Sequence, residues 1–157
     1  MKKFLPALAA ASLATGSVFG EDRKSGDSAQ ADVKITITGN DMMKYDKTTF
    51  EVQSGKVVAL TFKNVGALPV EAMGHNVVIL KPGTDIPKFA LAGIANRAGG
   101  FLPTDPKLKE LIIATTKILG PNQEETITFT AGAPGVYPYV CTFPGHFGVM
   151  QGKMTVK

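Results

Sequence analysis

The stretch VYPYVCTFPGHFGVM occupies positions 136–150. Val136 to Thr142 carries the β-branched and aromatic residues of a strand, and Pro144-Gly145 then turns the chain tightly. Cys141, His146 and Met150 follow at close spacing, so the turn can bring three side chains to one point. Cys141 is the sole cysteine of 157 residues, and His146 is one of two histidines. A soft thiolate, an imidazole and a thioether on one short loop form a ligand set that suits copper. The second histidine, His75, sits far upstream in Met73-Gly74-His75-Asn76 and must arrive from a different strand. Two histidines and one cysteine make a trigonal set, and Met150 can supply the long, weak axial bond that marks electron-transfer copper.

Upstream, the chain reads as short strands separated by turn signals. Val33, Ile35 and Ile37 alternate with Lys34, Thr36 and Thr38, the period-two pattern of a half-buried strand, until Gly39-Asn40-Asp41 breaks it. Thr48 to Val52 and Lys56 to Lys63 follow as two strands around Ser54-Gly55, and Val65 to Gly74 is a loop that delivers His75 to a strand from Val77 to Leu80. Asp85 to Arg97 turns to helical spacing, with Thr84 or Asp85 as N-cap and Gly99-Gly100 as the stop. Thr104-Asp105-Pro106 starts one further helical turn through Glu110. Ile112 to Leu119, Glu125 to Thr130 and Lys153 to Lys157 complete seven or eight strands. That pattern predicts an all-β antiparallel sandwich of Greek-key type with a helical flap outside the sheets.

Residues 1–20 carry Lys2 and Lys3, an apolar middle from Phe4 to Ala14 and a small residue at Gly20, the order of a cleaved signal peptide. Pro6 and Gly16 interrupt a run already shorter than the roughly 20 residues a spanning helix needs. Residues 21–31 are polar and aperiodic, a flexible leader to a domain at 32–157. Without residues 1–20 the chain holds 15 basic and 13 acidic residues, a net charge of +2. Such balance argues against a nucleic-acid partner, and no basic amphipathic helix suits a membrane surface. An exported protein ordinarily pairs its cysteines; a lone one is an unpaired thiol, a metal ligand or a nucleophile.

Each candidate also has an ordinary role. A single buried cysteine is usually packing, a histidine is usually structural and a methionine is usually core filler. Their conjunction favours a site, because both histidines of the chain join its only thiol. Zinc accepts cysteine and histidine, yet structural zinc commonly takes two or more cysteines and catalytic zinc seldom takes methionine. A Cys–His nucleophile would need an acid partner and an oxyanion hole, which the loop does not show. The expectation is a copper protein that carries electrons and is no enzyme. Holding and delivering copper with the same ligands is the alternative.

Gly74-His75-Asn76, Cys141-Thr142-Phe143-Pro144-Gly145-His146 and Met150 together closely resemble the azurin family of blue copper proteins, auracyanins included. Gly39-Asn40-Asp41, Thr116-Lys117-Ile118-Leu119-Gly120 and Gly152 to Lys157 extend the likeness over the whole of 32–157. The resemblance implies an eight-stranded cupredoxin sandwich with a helical flap. It implies one copper ion, Cu(II)/Cu(I), held in plane by His75, Cys141 and His146, with Met150 and the Gly74 carbonyl as axial ligands. Asn76 would brace the two ligand loops and help hold the thiolate, and Phe143 would pack beside the site.

The resemblance also implies an apolar electron port around the edge of His146, formed by Met43, Leu68, Met73, Phe143, Pro144, Gly145 and Val149. Its partners would be c-type cytochromes and terminal reductases or oxidases, met by a monomer in the periplasm. Three departures stand out. The chain cannot form the family's usual disulfide, Val77 stands where some members have tryptophan, and Asn64 replaces a histidine that titrates in some relatives.

Overall fold

A computed structural model describes residues 30–157. The expected signal peptide, and the expected leader up to residue 29, lie outside the described residues. The strands are β1 (Val33–Asn40), β2 (Lys44–Tyr45), β3 (Thr49–Val52), β4 (Val57–Asn64), β5 (Val78–Leu80), β6 (Ile112–Thr115), β7 (Glu124–Thr130), β8 (Gly135–Val140) and β9 (Gln151–Val156). They form two sheets, in the orders β2-β1-β4-β7 and β3-β9-β8-β5-β6. This is a two-sheet sandwich of the Greek-key kind that the resemblance implies. A ninth strand joins the expected seven or eight because two-residue β2 follows the Gly39-Asn40-Asp41 break, too short to leave a periodic signal.

The expectation of antiparallel pairing throughout needs correction. β1 runs parallel to β4, and β3 runs parallel to β9. After β1 the chain crosses to the other sheet for β3 and then returns for β4, so two reversals restore the original direction. Alternation along a strand reports which face is buried, and it is silent about a neighbour's direction.

The inward positions of both sheets interdigitate in one core that includes Ile37, Val58, Leu60, Phe62, Ile79, Tyr139 and Met154. Burying an apolar side chain of this size contributes roughly 1.5–3 kcal/mol. β5 is apolar at all three positions because both of its faces are covered. Val78 and Leu80 point outward into a second, smaller cluster with Phe89 and Val140, over which the flap lies.

The flap contains α2 (Ile86–Gly93) and α3 (Pro106–Lys109), each started by an aspartate. Asp85 accepts from the Lys88 N–H, and Asp105 accepts from the N–H groups of Lys107 and Leu108. α2 stops four residues short of the expected Arg97. At Gly93 the backbone of Phe101 comes so close that a Cβ would collide with its carbonyl oxygen, and the chain turns back there. One helical turn, α1 (Val70–Met73), occupies part of the expected loop, hidden in the sequence by its flanking Pro69 and Gly74. No helix among the described residues is long and apolar enough to cross a membrane.

Gly152 on β9 lies flat against Tyr139, whose ring is pinned by a 2.6 Å bond from its hydroxyl to the Lys47 carbonyl. A Cβ at 152 would fall inside the contact distance of that ring. Gly152→Ala should therefore lower stability by about 1–3 kcal/mol through overpacking, seen as an earlier midpoint in denaturant unfolding.

Candidate metal centre

The site forms where the β8–β9 connection meets the segment entering β5. Cys141 directly follows β8, and its N–H donates to the Met150 carbonyl at 3.0 Å, closing the loop at its base. Within that loop Pro144 and Gly145 make a tight turn. Gly145 has φ +85°, and the His146 N–H donates to the Phe143 carbonyl at 3.0 Å. The Met150 N–H in turn donates to the His146 carbonyl at 2.8 Å. His75 is fixed separately: it exchanges two backbone hydrogen bonds with Leu119, at 3.1 and 2.7 Å. The Thr116 hydroxyl accepts from the Val77 N–H at 3.0 Å, which ties the same segment down.

These anchors bring His75, Cys141 and His146 together. The Nδ1 atoms of the two histidines are 3.2 Å apart, and Cys141 Sγ lies 3.9 Å from His75 Nδ1 and 3.6 Å from His146 Nδ1. All three residues are buried, and their donor atoms fall within 4.8 Å of one another. Gly74 is packed so closely that a Cβ would lie 2.5 Å from Ile118 Cγ2, which accounts for glycine there. Met150 is fully buried, with its terminal methyl against Gly39.

Asn76 joins the two ligand segments. Its Nδ2 donates to the Thr142 hydroxyl and its Oδ1 accepts from the Thr142 N–H, both at 2.9 Å. Thr142 passes the connection on to the flap by donating from Oγ1 to the Gly100 carbonyl at 3.1 Å. Phe143 packs against His146 at a tilt, with centroids 4.7 Å apart, and meets Phe101 edge-on at 5.3 Å, roofing the site on the flap side. Of the expected port, Leu68, Gly145 and Val149 are exposed while Met43, Met73 and Pro144 are half-buried. Phe143 is buried, so it belongs to the roof and adds little to the surface. Thr142, Thr116 and Gly100 have roles that the sequence does not signal, because they depend on contacts between distant segments.

Burial disfavours charge on every donor. It pushes the Cys141 thiol up to about 12, against the backbone N–H groups of Asn76 and Phe143, which face the sulfur and pull the other way. Burial, and then the neighbouring His75, hold His146 down at about 4. His75 is lowered by burial too, partly opposed by the Asn40 backbone and Asp41. Its Nε2 faces that region without a well-formed hydrogen bond. Near neutral pH the corner thus holds two uncharged imidazoles and one thiol, with no carboxylate in the group. Lone pairs this close suit a cation, and the nitrogen–sulfur composition suits copper.

The profile of copper binding proteins of the plastocyanin/azurin family matches residues 31–157. The chain belongs to that family. Its similarity to Auracyanin-A of Chloroflexus aurantiacus is 37% identity over 126 residues, covering 79% of this chain and 73% of that protein. Azurin of Pseudomonas fluorescens biotype C is 37% identical over 131 residues, covering 81% of this chain and all of that one. Among solved structures, dithionite-reduced auracyanin of Roseiflexus castenholzii superposes with a TM-score of 0.69 at 42% identity, covering 81% and 98% of the two chains. As in the rest of the plastocyanin/azurin family, the metal is copper, and the donor set described above fits it.

The metal-free domain should be most stable between about pH 6.5 and 9. Below that window an unfolded histidine (6.5) binds a proton that folded His146 refuses down to about 4, so stability is lost on acidification. Above it the unfolded thiol (9.0) ionises before folded Cys141 does at about 12, so stability is lost on alkalinisation. Thermal melts across pH in the presence of a chelator check both arms, and added copper should raise the midpoint throughout the plateau.

Proposed function

We propose that this protein is a one-electron carrier whose copper would be held by His75, Cys141 and His146, with Met150 and the Gly74 carbonyl as further ligands. The observation that carries this reading is the convergence of three buried donors, fixed by backbone and side-chain hydrogen bonds of the sandwich itself. Copper bound there supplies a Cu(II)/Cu(I) couple. The protein's part is to keep the donors in place whichever oxidation state is present. The Asn76–Thr142 pair and the His75–Leu119 bridge resist their separation, and the N–H groups of Asn76 and Phe143 stabilise the sulfur as thiolate. Phe101 and Phe143 keep water out, which lowers the local dielectric and tunes the potential.

His146 is 3% exposed, whereas His75 and Cys141 are fully covered, so its edge is the route by which an electron leaves. Val149 (61% exposed), whose N–H donates to the His146 carbonyl, and with it the exposed Leu68 (44%) that the family resemblance assigns to the same port, would offer an apolar face for brief, weakly specific docking. Redox proteins such as c-type cytochromes and terminal reductases or oxidases are the proposed partners, met by a monomer in the periplasm after export through residues 1–20. A copper-holding or delivery role with the same ligands is the second reading. Burial of all three donors weighs against it, because hand-over requires a receiving ligand to reach the ion.

Copper(II) added to the purified domain should give an intense blue band and reversible one-electron voltammetry, and Cys141→Ser should abolish the band. Colourless retention with ready transfer to a second protein would favour delivery instead. Val149→Glu should slow electron self-exchange about tenfold or more by setting like charges face to face, with the visible spectrum unchanged.

Asn64 is buried as a neutral amide, donating from Nδ2 to the Leu119 carbonyl at 3.0 Å and accepting from the Gly66 N–H at 2.9 Å. It has no proton to exchange in the range where histidine titrates. The reduction potential should therefore stay nearly level from about pH 5 to 8, and a steep slope in voltammetry over that range would contradict this.

A further inference from the structure

Tyr45 lies beside the metal centre and has no part in the function proposed above. It comes from β2, paired to the end of β1 through Gly39, and is 5% exposed. Its ring meets Phe62 edge-on at 5.9 Å and Tyr139 at 5.6 Å, so its position is set by packing. The hydroxyl donates a 2.5 Å bond to the carbonyl of Asn76, 31 residues away. No other hydrogen bond reaches that carbonyl among the described residues. Asn76 follows His75 in the chain, points its N–H at the Cys141 sulfur and clamps Thr142 with its side chain.

We propose that Tyr45 is a positioning residue for the metal centre: its hydroxyl pins Asn76, and through Asn76 it sets the placement of the Cys141 loop against His75. Without the hydroxyl, a buried carbonyl loses its donor, and Asn76 moves to regain one. That movement reaches both ligand segments, because Asn76 is bonded to each of them. The short strand β2 thereby gains a purpose: it hooks one aromatic residue under the junction of the two ligand segments.

The inference rests on the ligand set proposed above, and the test separates the two. Tyr45→Phe keeps the ring and removes the hydroxyl. Tyr139→Phe is the control, since it deletes the hydroxyl of a neighbouring core tyrosine, a part-buried group bonded to Lys47 and away from the ligand segments. In the metal-free domain, amide hydrogen exchange at Asn76 and Thr142 should be about tenfold faster in Tyr45→Phe than in Tyr139→Phe. Exchange at Val58 and Leu60 in β4 should change alike in both. In the copper-loaded protein, Tyr45→Phe should shift the reduction potential and the visible band, and Tyr139→Phe should leave them in place. Equal exchange at Asn76 and Thr142 in the two variants, or an unmoved potential in Tyr45→Phe, would overturn the proposal. Failure of the copper reading would show separately, as a missing blue band in the unsubstituted protein.

Discussion

Three lone-pair donors are confined to a corner that water barely reaches, and the rest of the molecule is arranged around that confinement. Two imidazole nitrogens 3.2 Å apart, with a sulfur close to both, repel one another unless a proton or a cation lies between them. Burial makes protonation of His146 and ionisation of Cys141 unfavourable in the absence of metal. Without metal, a neutral tautomer can donate one Nδ1–H to the other imidazole, and the rest of the force that keeps the sulfur and both rings this close is supplied from outside the trio. That force comes from the sheets and from the hydrogen bonds that anchor each ligand segment.

The anchoring is distributed over segments that are far apart in the chain. His75 is tied to Leu119, Val77 to Thr116, Asn76 to Thr142, and Thr142 to Gly100 in the flap. Each bond is modest, of order 1 kcal/mol net, but breaking any one leaves a buried polar group without its partner. The two sheets supply the frame, and the flap adds Phe101 to the ring that roofs His146. Rigidity here arises from closure of these loops of contacts, and any single bond contributes little alone.

Much of this was legible in the residues. Alternation and turn signals located most of the strands within a residue or two, and Thr84-Asp85 and Thr104-Asp105-Pro106 marked where the two flap helices start. The ligand trio stood out because a lone cysteine and the only two histidines are rare residues at telling positions. Other features left no local trace. Tyr45 sits in a two-residue strand, with no periodicity to read. The parallel pairing of β1 with β4 follows from a crossover between sheets, and alternation is blind to it. Thr142 and Thr116 look like ordinary strand and loop threonines until the fold sets Asn76 and Val77 beside them.

The single thiol has a consequence for how the chain matures. With one cysteine there is no internal pair to join and none to scramble, so folding needs neither an oxidant nor a disulfide isomerase. The remaining disulfide hazard is coupling to a second molecule, and it exists only while the chain is open. Completion of the sandwich puts Cys141 out of reach and ends that exposure.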